Sequence, residues 1–168
     1  PLDCARFIQP RCEPEIAFRL AADINGPQVT AEDVLAATEA VFPAIDVLDS
    51  RYAGYSFTLP DVAADNASGA GFLLGDQGVD PSGFDLRLTG VVFTKNGELI
   101  ATATGAEVLG HPAASVAWLV RALAARGRGL AAGQIVMAGA LTAAVAVQAG
   151  DVVLARFDRL GSVELNCR

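Results

Sequence analysis

Two mainly apolar runs, residues 84–93 and 98–104, meet at Lys95-Asn96-Gly97. Asn-Gly readily supplies two successive residues with positive φ, which a tight antiparallel reversal requires, so these runs are expected to form a β-hairpin. Four more short runs follow at 135–137, 143–147, 152–157 and 162–165, separated by Gly-containing turns, and read as strands. Residues 16–20 alternate large apolar side chains with smaller or polar ones at the period of a half-buried strand. Residues 44–48 are apolar around a single acid, Asp46, as in a buried strand with one polar task. Helical spacing is confined to two places. Thr30 and Asp33 form a variant capping box ahead of Val34, Leu35, Thr38, Val41 and Phe42, predicting a helix over 31–42. His111-Pro112 precedes a stripe of Val116, Leu119, Val120 and Leu123, and Gly127 is suited to end it, predicting a helix over 112–126. Residues 49–83, rich in Gly, Ala, Asp, Asn and Ser, are expected to be largely loop, and long loops are often functional.

The class is therefore α+β, and 168 residues without an internal repeat or linker fit one domain over 1–168. Such a chain buries about 70% of its unfolded surface and needs no disulfide or metal to fold. Nineteen acids against 12 Lys plus Arg give a net charge of −7, which excludes a basic field for nucleic acid. The most apolar stretch, 135–147, is shorter than the roughly 20 residues of a spanning helix and is interrupted by Gly139 and Thr142, so it reads as core rather than membrane. Cys4, Cys12 and Cys167 are odd in number and form no C-x-x-C pair, which points to a reducing, cytoplasmic setting. A start at Pro1-Leu2-Asp3, without Met, leads us to expect a piece of a longer chain.

Chemistry concentrates in three carboxylates. Glu13 and Glu15 are spaced i, i+2 ahead of the first predicted strand, so in extended backbone they project to the same side. Carboxylates held side by side repel and raise one another's pKa unless a cation neutralises them, which suits a hard-metal ligand set or an acid/base pair. Asp46 could supply a third oxygen. With no His or Cys ligand in the pattern, Mg²⁺ or Mn²⁺ fits better than Zn²⁺. By spacing alone, ordinary solvated acids with Asp46 capping a turn would look the same.

The run Ile8-Gln9-Pro10-Arg11-Cys12-Glu13-Pro14-Glu15-Ile16-Ala17-Phe18 closely resembles the metal-binding segment of the hydratase/decarboxylase branch of the fumarylacetoacetate hydrolase superfamily. The resemblance continues, in order, through Asp46-Val47-Leu48-Asp49-Ser50-Arg51-Tyr52, Ala64-Asp65-Asn66-Ala67-Ser68, Leu109-Gly110-His111-Pro112, Gly139-Ala140-Leu141-Thr142 and Leu160-Gly161-Ser162-Val163, covering essentially the whole chain. It implies a fumarylacetoacetase-like mixed β-roll with peripheral helices. It also implies a single Mg²⁺ or Mn²⁺ held by Glu13, Glu15 and Asp46, the last one methylene shorter than the Glu usual in similar sequences. Ser68 and Thr142 fall at positions near the substrate in that family; read alone, both are turn hydroxyls.

Within the branch, residues 50–57 and 141–147 resemble the 2-oxo-3-hexenedioate (4-oxalocrotonate) decarboxylases more than the hydratases, which tend to carry Trp after the Ser-Arg pair. The implied reaction is decarboxylation of 2-oxo-3-hexenedioate to 2-hydroxypenta-2,4-dienoate in meta-cleavage of aromatic compounds, with a chelated metal as electron sink. The alternatives are the 2-hydroxypenta-2,4-dienoate hydratase and a catalytically incomplete metal-binding module. Members of the family also carry a preceding region with a Gly-x-Lys-x-Gly-Leu segment whose Lys serves the active site, and that region is expected to be lacking here. The resemblance further implies a homo-oligomer and association with the companion hydratase. His111, the only histidine, is expected to cap a helix rather than catalyse, Lys95 to lie exposed at the hairpin tip, and Trp118 to occupy a second core face or a subunit contact.

Overall fold

The computed structural model describes all 168 residues. Its strands are β1 (Arg11–Leu20), β2 (Thr38–Leu48), β3 (Gly69–Leu74), β4 (Gly90–Lys95), β5 (Glu98–Thr104), β6 (Ile135–Ala140), β7 (Val145–Ala146), β8 (Val152–Phe157) and β9 (Gly161–Asn166). Its helices are α1 (Ala31–Ala36), α2 (Leu59–Ala64) and α3 (Pro112–Ala124). One sheet runs β3-β2-β1-β6 with β7 also on β1, the other β5-β4-β8-β9, and every strand pairing in both is antiparallel. This is the expected α+β roll with peripheral helices.

Alternation along the strands sends one face of each sheet to a shared interior. Cys12, Ile16, Phe18, Val41, Ile45 and Val47 of the first sheet join Val91, Phe93, Val153, Ala155 and Val163 of the second, with Val116 and Val120 of α3, in one cluster of 29 buried residues. The expected hairpin forms, and Asn96 (φ 54°) and Gly97 (φ 82°) both take the left-handed backbone of its turn. Its first strand starts at Gly90, and Leu86–Leu88 is a 3₁₀ turn instead. No helix is long and apolar enough to cross a membrane.

Three expectations are corrected. The capping box at Thr30 and Asp33 is present, but α1 ends at Ala36 and residues 38–42 belong to β2. Thr38, Val41 and Phe42 are β-branched or aromatic, and their pairing with β1 outweighs the helical spacing. Pro43 stays within β2 because its nitrogen faces the β3 side just past Leu74; its carbonyl, on the same side, accepts from Gly75 N at 2.8 Å. Second, residues 49–83 contain α2 and β3, the latter a Gly-rich edge strand ordered by pairing with β2 rather than by its own propensity. Third, Lys95 is not a free tip. Its ammonium pairs with Asp151 at 2.8 Å and donates to Ala146 O at 2.9 Å. His111 caps α3, its Nδ1 accepting from Ala113 N at 3.0 Å, as expected. Trp118 is 60% exposed, so it fills no second core face, and all three cysteines are free.

Candidate metal centre

The outer face of the first sheet carries the carboxylates. Glu13 and Glu15 lie within β1 rather than ahead of it, and Glu13 stands directly opposite Asp46 of β2. Alternation turns all three side chains to one face, where their oxygens lie within 4.8 Å of one another. Around them the register places Phe72 of β3 beside Asp46, Ala44 and Ala140 beside Glu15, and the Arg11–Leu48 pair one step beyond Glu13. Glu15 is buried and Glu13 and Asp46 are half-buried on that face.

The cluster is electrostatically unresolved. Burial, then the neighbouring Asp46, pushes Glu13 up to about 7. Glu15, only 4% exposed, is raised to about 8 by burial and by both other acids, against the lowering effect of a hydrogen bond from Gly139. Burial raises Asp46 to about 6, with the Val47 N–H opposing. No Lys, Arg or His makes an ion pair with any of them. Like charges gathered in partly desolvated positions without a cation are costly, and three hard oxygen donors free of His or Cys fit a divalent cation of the Mg²⁺ or Mn²⁺ type.

One device outside the three acids shapes the site. The β1–β6 register slips between Glu15 and Ala17, and Gly139 there adopts φ 119°, a backbone few L-residues tolerate. Its N–H reaches Glu15 Oε2 at 2.7 Å, orienting the carboxylate. Gly139 stood in a motif noticed in the sequence, but nothing there assigned it this role.

The rim beyond β2 is a hydrogen-bonded clamp. Gln9 Nε2 donates to Ser50 O (2.9 Å) and Tyr52 O (2.6 Å), its Oε1 accepts from Gly54 N (3.1 Å), and the Asp49 carboxylate accepts from Ile8 N and Gln9 N. Asp65 is the second hub, accepting from Ser50 Oγ and Ser68 Oγ at 2.9 Å each and from the Arg51 guanidinium. Burial would raise its pKa, but these donors hold it below the usual carboxylate range. They also secure an unusual loop, in which Asn66, Ala67 and Ser68 have φ of 54°, 51° and 60° in succession. Ser68 is thus 2% exposed, with its hydroxyl committed to Asp65. Thr142 lies in the turn after β6, its hydroxyl 3.3 Å from Ala143 O, and that turn is tied to β1 by Leu141 N donating to Pro14 O at 2.9 Å. Gln9, Asp65 and Gly139 gain their roles only from partners distant in the chain; the acid in Asp65-Asn66-Ala67-Ser68 is the one local signal among them.

Known proteins are similar to this chain in sequence and in fold. A 4-oxalocrotonate decarboxylase of Pseudomonas sp. (strain CF600) is 46% identical over 162 residues, 96% of this chain and 61% of that protein. A 2-hydroxypent-2,4-dienoate hydratase of Pseudomonas putida is 50% identical over 118 residues, 70% of this chain and 53% of its own. The solved structure of the 4-oxalocrotonate decarboxylase from Pseudomonas putida G7, complexed with magnesium and adipate, superposes with a TM-score of 0.95 at 42% identity, covering 99% of this chain and 64% of that one. The chain thus spans about three-fifths of the length of the decarboxylases it matches. The family described as fumarylacetoacetate (FAA) hydrolase C-terminal matches residues 4–167, nearly the whole of this two-sheet fold, and the chain belongs to the fumarylacetoacetate hydrolase family.

Proposed function

We propose that Glu13, Glu15 and Asp46 hold one divalent cation, Mg²⁺ or Mn²⁺, and that the protein containing this chain decarboxylates 2-oxo-3-hexenedioate to 2-hydroxypenta-2,4-dienoate. The observation that carries this reading is the carboxylate cluster with no basic side chain paired to it, three oxygens within 4.8 Å with two of the acids raised to about 7 and 8. A bound cation would supply Lewis-acid stabilisation of the negative charge that builds on the 2-oxo oxygen as CO₂ leaves. The chain's own contribution is to fix the donors: β1–β2 pairing sets Glu13 against Asp46, and the Gly139 N–H holds one Glu15 oxygen. Thr142 is proposed to donate to a substrate oxygen from the turn beside Ala140. Ser68, whose hydroxyl is buried against Asp65, serves the substrate side by holding the rim loop in place.

Preference for decarboxylation is supported by the 46% identity to one decarboxylase and by the binding of adipate, a six-carbon dicarboxylate, with magnesium in another. The second reading is hydration of 2-hydroxypenta-2,4-dienoate, favoured by the 50% identity to a hydratase over a shorter span. We further propose that residues 1–168 act as one catalytic domain of a longer cytoplasmic protein, that a further segment completes the site, and that the protein works as a homo-oligomer alongside the companion hydratase. The test uses the full-length protein with Mg²⁺, with Mn²⁺ and with EDTA. CO₂ release from 2-oxo-3-hexenedioate is expected with metal only, and hydration of the dienoate without CO₂ release would establish the second reading instead.

A further inference from the structure

The cations around the site face are not equivalent. Arg19 lies on the same face of β1, but its guanidinium is bound to Glu39 at 2.8 and 2.9 Å. Arg51 is bound to the Asp65 carboxylate and backbone oxygen, and Lys95 to Asp151. Arg11 has neither a hydrogen bond nor an ion pair from its guanidinium; the group rests over the Tyr55 ring, 3.9 Å from the centroid. Tyr55 is itself fixed, its hydroxyl donating to Gln9 O at 3.2 Å. Arg11 is two residues before Glu13 on β1 and is paired with Leu48 while Glu13 is paired with Asp46, so it shares the carboxylate face one step along the strands. An anion-binding group oriented by an aromatic ring, with its donors unused, therefore stands beside a cluster of three acids.

The spacing fits a linear diacid. Two residues of strand advance about 7 Å. Five carbon–carbon bonds of about 1.5 Å each, in an extended six-carbon chain, separate the two carboxyl carbons by roughly 6 Å. A substrate whose 2-oxo acid end is held at the acids would bring its far end to the Arg11 step. Leu48 and Phe72, the latter 53% exposed, offer apolar surface for the chain between.

We propose that Arg11 receives the distal carboxylate of the substrate and is the residue through which this site prefers a dicarboxylate over a monocarboxylate 2-oxo acid. The inference rests on the dicarboxylate reading above. Its test compares 2-oxoadipate with 2-oxohexanoate, which share the 2-oxo acid head and differ at the far carboxylate, by calorimetric titration of the full-length protein with Mg²⁺. Wild type should bind 2-oxoadipate about 10- to 100-fold more tightly, the worth of one charge-assisted hydrogen-bonded contact. R11Q should bring that ratio close to one while leaving Mg²⁺ and 2-oxohexanoate affinities unchanged, and R11K, which keeps the charge, should restore part of it. If R11Q keeps the wild-type ratio, or weakens both ligands and Mg²⁺ alike, Arg11 is a positioning or structural residue and the proposal fails while the dicarboxylate reading stands. If wild type itself shows no preference, the dicarboxylate reading fails and takes this inference with it.

Discussion

Replacing Glu15 by Gln should make the metal-free protein more stable while abolishing most of its metal affinity. Burial and the neighbouring acids set the Glu15 carboxyl at about 8, against 4.5 in the unfolded chain. The folded value lies above the unfolded one, so the fold is favoured while Glu15 is protonated and loses that advantage as pH rises from 4.5 toward 8. At pH 7 the unfolded carboxyl is ionised while the folded one without a cation stays mostly protonated, and that mismatch costs the fold on the order of 3 kcal/mol, at about 1.4 kcal/mol for each pH unit above 4.5. The amide in Glu15→Gln keeps a carbonyl oxygen for the Gly139 N–H, and so removes the charge without orphaning the donor. Scanning calorimetry in EDTA at pH 5 and pH 7 should show the wild-type Tm falling over that interval and the variant's falling less. At pH 7 the variant should melt higher by roughly 6–12 °C for a chain of this size. Mg²⁺ should reverse the order by stabilising wild type alone. A variant that melts below wild type in EDTA at pH 7, or gains as much from Mg²⁺, would refute the view that these acids are held apart from their preferred protonation until a cation arrives.

Other perturbations separate the supporting residues. Gly139→Ala should distort the φ 119° backbone and withdraw the N–H from Glu15, lowering Mn²⁺ affinity about tenfold in a spin-resonance titration; an unchanged affinity would show that Glu15 needs no such orientation. Asp65→Asn should lower Tm and speed proteolysis within residues 49–68, because Ser50, Ser68 and Arg51 lose a shared acceptor. The folded pKa of Asp65 is depressed, so its contribution exists above 3.8 and fades as pH falls, and the gap between wild type and variant should narrow in acid melts. Phe93→Ala, at a fully buried core position, should cost about 3–5 kcal/mol in urea unfolding, while Mg²⁺ affinity changes little because the acids lie on the other sheet's outer face.

The local part of this protein is written in the sequence. The i, i+2 spacing puts Glu13 and Glu15 on one side of any extended segment, and Asp46 stands out as a single acid among apolar residues. Asn96-Gly97 dictates the hairpin, and His111-Pro112 the start of α3, because turn and cap geometry depend on a few neighbouring residues. The tertiary structure decided what depends on distant partners. Residues 38–42 have a helical stripe but become strand because β1 offers a ladder to pair with, and Gly69–Leu74 becomes strand for the same reason at the other edge of β2. The β1–β2 register alone sets Asp46 opposite Glu13, and a one-residue slip would turn it to the core. The hydrogen bond that orients Glu15 arrives from Gly139, 124 residues away, through a bulge that exists only once β6 has docked. Lys95 and Asp151, and Asp65 with Ser50, were likewise invisible as pairs, since spacing along a chain carries side-chain direction but not which segments meet.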